Sequence, residues 1–185
     1  MKGTDVGVLW CPNGKALGKR HGYNGWSFPR NVEVKIKEII GDGSCAHLFG
    51  GLAKFGTRLD IDAHVRPDVI GDAWLPPFAE GSFDTVVLDP PYTAMSREVL
   101  FSLLYAASWT ARKQVIWLGA IWSPSGAGLR LDRAWLVRCG DSLIVRALQV
   151  FVKNGRRIQP MKRFSRGPMM KYNRWLVQPI GLPFK

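Results

Sequence analysis

Ser82-Phe83-Asp84-Thr85-Val86-Val87-Leu88, running into Asp89-Pro90-Pro91-Tyr92, is the stretch on which the fold turns. Its first seven residues are mostly β-branched or large and apolar, as in a strand covered on both faces of a parallel sheet. Two prolines then stop it. A carboxylate at the carboxyl end of such a strand points into the crevice where open α/β sheets bind ligands. The prolines remove N–H donors and leave rigid C=O acceptors, and an aromatic ring follows at once. Together these groups suit a planar group bearing an NH₂. The plainer reading is a strand ending in a Pro-Pro turn with a solvated Asp.

The flanking sequence supplies more elements of the same kind. Ser44 to Phe49 is a short apolar strand running into Gly50-Gly51, Thr57 to Ile61 a second and Asp68 to Asp72 a third, ahead of Phe83 to Asp89. Arg97 to Thr110 predicts a helix, because Val99, Leu100, Leu103, Leu104 and Ala107 form one apolar stripe. Gln114 to Ile121 is a fifth strand, and Leu143 to Val152 and Asn173 to Pro179 bring the number to seven. Upstream, Val32, Ile36, Ile39 and Ile40 stand at helical spacing in Asn31 to Ile40, with Asn31 as the N-cap. Val34 falls off that face. This order predicts a doubly wound α/β fold with a mostly parallel seven-stranded sheet, its last two strands forming an antiparallel edge hairpin.

At 185 residues the chain fits one domain, taken as 1–185. Hydrophobic residues make up 46% and mean hydropathy is −0.04, which fits an ordinary globular core. No apolar run is long enough for a transmembrane helix, and Met1 to Asp5 lacks a signal core, so a cytoplasmic protein without membrane contact is expected. Cys11, Cys45 and Cys139 are odd in number and widely spaced, and His21, His47 and His64 add no ligand spacing. Neither a disulfide framework nor a metal site is indicated. Lys and Arg total 26 against 14 acids, a net charge of +12, and such an excess points to a polyanionic partner. Residues 1–30 read as a basic irregular arm. Residues 153–172 read as a basic connection between the last two strands, and so long a connection usually serves a function.

Acids mark the strand ends. Asp60 closes the second strand, where a carboxylate can accept hydrogen bonds from ribose hydroxyls. Asp72 closes the third and could receive an adenine amino group, with Trp74 or Leu75 against the ring. Singly, each acid is equally a turn residue. A glycine turn, two acids and Asp-Pro-Pro-Tyr on successive strands are harder to dismiss.

The runs Ser44 to Gly51, Leu59-Asp60-Ile61-Asp62, Val69 to Ala73 and Asp89-Pro90-Pro91-Tyr92 resemble a class I S-adenosylmethionine-dependent methyltransferase, a Rossmann-like fold. Within that superfamily they resemble the amino-methyltransferases of DNA, particularly the adenine enzymes, over roughly Phe28 to Ile121. The resemblance implies that Pro29, Phe49, Gly50, Gly51, Asp60, Asp72 and Ala73 line the S-adenosylmethionine site. It implies that Asp89 and the Pro90 carbonyl hydrogen-bond the target amine, with Pro91 and Tyr92 completing the motif and Tyr92 stacking on a flipped base. The family usually has an acid where this chain has His47, and the helix after the glycine loop is squeezed into Leu52 to Phe55. No large target-recognition insertion is present, so low sequence specificity is expected.

Trp122 is a second candidate stacking ring, or a core residue. Lys153, Arg156, Arg157, Lys162, Arg163, Arg166 and Lys171 would grip phosphates without reading sequence, or shield a sheet edge with charge. The function expected is methylation of an exocyclic base amine in DNA, N6 of adenine foremost. The alternatives are an RNA base amino-methyltransferase and a catalytically inactive nucleic-acid-binding protein that kept the fold.

Overall fold

The apolar runs become strands because each finds cover on two faces. The computed structural model describes residues 5–11, 28–90, 97–119, 127–139 and 145–155. Within them lie β1 (Asp5–Cys11), β2 (Cys45–Leu48), β3 (Thr57–Asp60), β4 (Val69–Ile70), β5 (Phe83–Leu88), β6 (Ala111–Gly119), β7 (Leu129–Cys139) and β8 (Val145–Lys153). The helices are α1 (Arg30–Ile40) and α2 (Arg97–Thr110), with a 3-10 turn at Ala63–Val65. One sheet holds all eight strands in the order β1-β7-β8-β6-β5-β2-β3-β4. β8 runs antiparallel to β6 and β7, and every other pair is parallel.

Alternate residues of the central strands feed two separate cores. Ala46, Val86, Leu88, Val115 and Trp117 face one way and pack with Leu103, Leu104 and Ala107 of α2. Cys45, Val87, Ile116 and Leu118 face the other way, against Val32 and Ile36 of α1. Full burial of each large apolar side chain contributes about 1.5–3 kcal/mol, so both helices are held mainly by these stripes. Val34 lies off the α1 stripe and is 58% exposed. Pro29, not Asn31, caps α1: it takes an extended conformation and its carbonyl accepts the Glu33 N–H. The expected helix bounds of α2 agree with those observed, and Thr110 passes directly into β6.

The sheet departs from expectation in three places. Eight strands are present among the described residues, not seven. The antiparallel hairpin pairs Leu129–Cys139 with Val145–Lys153 and lies inside the sheet, because β1 covers the outer side of β7. Asn173 to Pro179, the expected hairpin partner, lies outside the described residues. Finally, Asp5–Cys11 is a strand and not part of an irregular arm; Gly7 fits there because a Cβ would stand 2.5 Å from the Trp135 indole.

At the amino end of the parallel strands Asp84 acts as a clamp. It accepts from the Ser44 N–H and hydroxyl, from Arg112 at 2.8 and 3.0 Å, and pairs with Lys113 at 3.0 Å. The Arg112 and Lys113 contacts hold its carboxyl well below the usual carboxylate range.

Candidate functional site

Strand order reverses between β2 and β5, and a crevice at such a switch point is where open α/β sheets take their ligands. Leu48 pairs with Leu88, so Phe49 and Asp89 leave the sheet side by side. Phe49 and Gly51 both have positive φ, 66° and 46°, so a sharp turn brackets Gly50. For Phe49 that conformation is sterically costly and is held by its surroundings. Gly50 is required for a reason other than ligand approach: a Cβ there would meet Arg58 Cβ at 2.6 Å and Arg58 Cα at 3.0 Å.

Asp60 fastens this turn. Its Oδ2 accepts the Gly51 N–H at 2.9 Å and its Oδ1 the Asp62 N–H at 3.0 Å. Arg58 adds a hydrogen bond from Nη1 to the Gly51 carbonyl at 3.2 Å, and its Nη2 donates to the Arg66 carbonyl. The Asp60 carbonyl accepts the Gly71 N–H, which brings the next turn alongside. There Asp72 Oδ1 accepts the Trp74 N–H at 2.9 Å, and Ala73 is buried. Trp74 meets Phe49 edge to face at 5.3 Å and donates from Nε1 to the Val99 carbonyl of α2. Phe49, Gly50, Gly51, Asp60, Asp72 and Ala73 are therefore one connected group.

Pro29 belongs to a neighbouring structure. Phe28 before it is buried and stacks on His47 at 5.0 Å, and His47 stacks on Phe55 at 5.3 Å. Neither ring nitrogen of His47 has a hydrogen-bond partner. Burial, with the Arg58 charge second, pushes its pKa down to about 3, so it is neutral. The residue in the place of an expected acid is thus an interior aromatic. No helix follows the glycine turn; Ala53 N–H reaches the Gly50 carbonyl in a single turn. An open groove of about 570 Å³ remains beside Leu52 to Gly56, Arg58 and Asp68.

Asp89 follows β5 with its side chain 13% exposed, and Pro90 is buried. Arg146 of β8 stands 3.6 Å from Asp89 Oδ1, a partner the sequence reading missed. Its one signal was a guanidinium inside an apolar strand, since Arg is seldom buried without a partner. Pro91, Tyr92, Trp122, Arg156, Arg157, Lys162, Arg163, Arg166 and Lys171 lie outside the described residues. Lys153 is described and is not at this edge. Val152 pairs with Gln114 near the start of β6, so Lys153 stands at the opposite end of the sheet. There its ammonium donates to the Ser108 carbonyl, and burial lowers its pKa. Among the described residues no group of His, Cys, Asp and Glu could hold a metal ion, and no helix is long and apolar enough to cross a membrane.

No family model and no curated protein matches this chain. Solved structures do. A candidate RNA methyltransferase from Pyrococcus horikoshii shares 14% identity at a TM-score of 0.53, over 79% of this chain and 92% of its own. The N-methyltransferase NodS from Bradyrhizobium japonicum WM9 shares 10% at 0.50, over 66% of this chain and 92% of its own. A magnesium protoporphyrin IX methyltransferase from Synechocystis PCC 6803, with S-adenosylhomocysteine bound, shares 9% at 0.50, over 66% and 80%. At such identities the likeness establishes architecture: this chain has the Rossmann-like α/β fold on which these methyltransferases are built.

Proposed function

We propose that this chain is an S-adenosylmethionine-dependent methyltransferase acting on an exocyclic base amine of a nucleic acid, in the first instance N6 of adenine in DNA. One observation carries the reading: Asp89-Pro90 leaves β5 beside the Phe49-Gly50-Gly51 turn at the switch point of a methyltransferase fold.

The residues present fit the cofactor. A carboxylate offers about four acceptor sites, and Asp60 gives one per oxygen to backbone N–H groups, so ribose hydroxyls find acceptors there. Asp72, Ala73 and the Phe49–Trp74 pair would hold the adenine, and Pro29 with the glycine turn the methionine part. When bound, the cofactor supplies an electrophilic methyl on a sulfonium centre. Asp89 and the Pro90 carbonyl would each accept one proton of the target amine, localising a lone pair otherwise delocalised into the base. That is positioning and electrostatics, not strong-base chemistry. A base reaches this crevice only when flipped or single-stranded, with Tyr92 and Trp122 as stacking rings.

Charge supports a polynucleotide. The described residues are nearly balanced, whereas 156–185 carries eight Lys and Arg and no acid. Arg156, Arg157, Lys162, Arg163, Arg166 and Lys171 would hold phosphates from there. A second reading, an RNA base as substrate, is favoured by the name of the Pyrococcus neighbour.

Transfer of labelled methyl to single-stranded DNA, duplex DNA and RNA, with Asp89→Ala as control, tests the reading. Label on DNA that vanishes in Asp89→Ala is the expected result, and label on RNA alone selects the second reading. Nucleic acid bound with no label anywhere would leave a methyltransferase fold kept for binding.

A further inference from the structure

Asp89 meets a cation from the far side of a strand. β6 separates β5 from β8, and its last residue, Gly119, pairs with Ala147. Arg146 therefore stands one position beyond the end of β6. From there its Nη1 reaches 3.6 Å from Asp89 Oδ1, with side-chain exposures of 31% and 13%. Such a pair is neither fully solvated nor sealed, a setting in which an opposite charge is weakly screened.

Resting on the amine-methylation reading, we propose that Arg146 is a positioning residue for Asp89: it engages Oδ1 and keeps the carboxylate ionised, leaving Oδ2 to accept from the substrate amine. The chemistry requires it. A protonated Asp89 would present a donor to an amine proton and could not localise the lone pair. The other neighbours do not supply this charge. β6 contributes Leu118 and Gly119 beside Asp89 and Pro90, both uncharged. On β2, His47 pairs with Val87, two positions earlier, and is a neutral buried ring. Arg30 at the start of α1 is exposed, and Asp60 and Asp72 belong to the β3 and β4 side of the sheet.

The test is a carbon-13 NMR titration of the Asp89 carboxyl in the full chain, its signal identified by its loss in Asp89→Asn. Arg146→Gln is expected to raise the midpoint by about one pH unit, the lower end of the effect of an opposite charge at this range. Arg146→Lys should restore most of the shift. In methyl transfer the acid limb of kcat should move up by the same amount in Arg146→Gln. If Arg146→Gln does not fold, Arg146→Met keeps the apolar stem and carries the same expectation. Identical midpoints in wild type and a folded neutral variant overturn the proposal. The titration needs no turnover, so a chain that shows the shift but transfers no methyl loses the amine reading and keeps the ion pair. Transfer with an unshifted midpoint does the reverse.

Discussion

His47 is a buried base with no hydrogen-bond partner for either nitrogen. Orphaned polar atoms cost about 1–3 kcal/mol, and two aromatic stacks return about 0.5–1.5 kcal/mol each. These terms roughly cancel, so His47→Leu should change stability little at neutral pH. Acid separates them. The folded protein keeps His47 neutral down to about pH 3, while the unfolded chain protonates near its ordinary value of 6.5. Stability is then fully present above about pH 6.5 and falls as pH drops, by up to ~1.4 kcal/mol per pH unit. Asp84, whose folded carboxyl is held low, contributes stability that is lost only below the ordinary carboxylate range. Urea unfolding between pH 6.5 and 4.5 should therefore show a slope in wild type that is absent in His47→Leu. Equal slopes would mean that the ring takes up its proton in the folded state.

At the scale of elements, the join between β2 and β3 is where the candidate site is most easily broken. Gly50→Ala places a methyl against Arg58 backbone, and one of two hydrogen-bonded strands must move. We expect a loss of about 1–3 kcal/mol by urea midpoint, as in overpacked cores, with a matching fall in S-adenosylmethionine affinity by calorimetry. Lost stability with unchanged affinity would detach the turn from cofactor binding. The elements that sequence revealed are those whose pattern is unbroken. α2 shows a continuous stripe, and β5 is apolar up to two prolines. β7 escaped because a bulge between Leu131 and Arg133 breaks the inward–outward alternation, setting Arg133 in phase with Trp135 and Val137. β1 escaped because Gly7, needed under Trp135, reads as a breaker. The acids of the site were legible from their places at strand ends. Arg146 was not, because only the antiparallel insertion of β8 brings it over β6 to Asp89.

Across the whole molecule, charge and catalytic geometry are segregated. The folded sheet is close to neutral, and the basic segment 156–185 follows a strand that ends opposite the candidate site. A polynucleotide held by that segment and entering the crevice would travel the length of a strand, about 30 Å for nine residues. Charge reversal at Arg156, Arg157, Lys162 and Arg163 should flatten the dependence of log affinity on log salt by roughly 3 if each contacts a phosphate. Fluorescence anisotropy over a salt series would read this, and unchanged affinity at moderate salt would sink the assignment.

The pairing of β1 with β7 adds a consequence in time. Asp5 sits opposite Arg133, so the first strand to leave the ribosome has no partner until most of the chain has followed. Pairings of such long range form slowly, and until then both β1 and β7 offer bare edges to any other chain. The N-terminal strand thus works as a bolt drawn last. The interval before it closes is when this protein is most exposed to mispairing with its own copies.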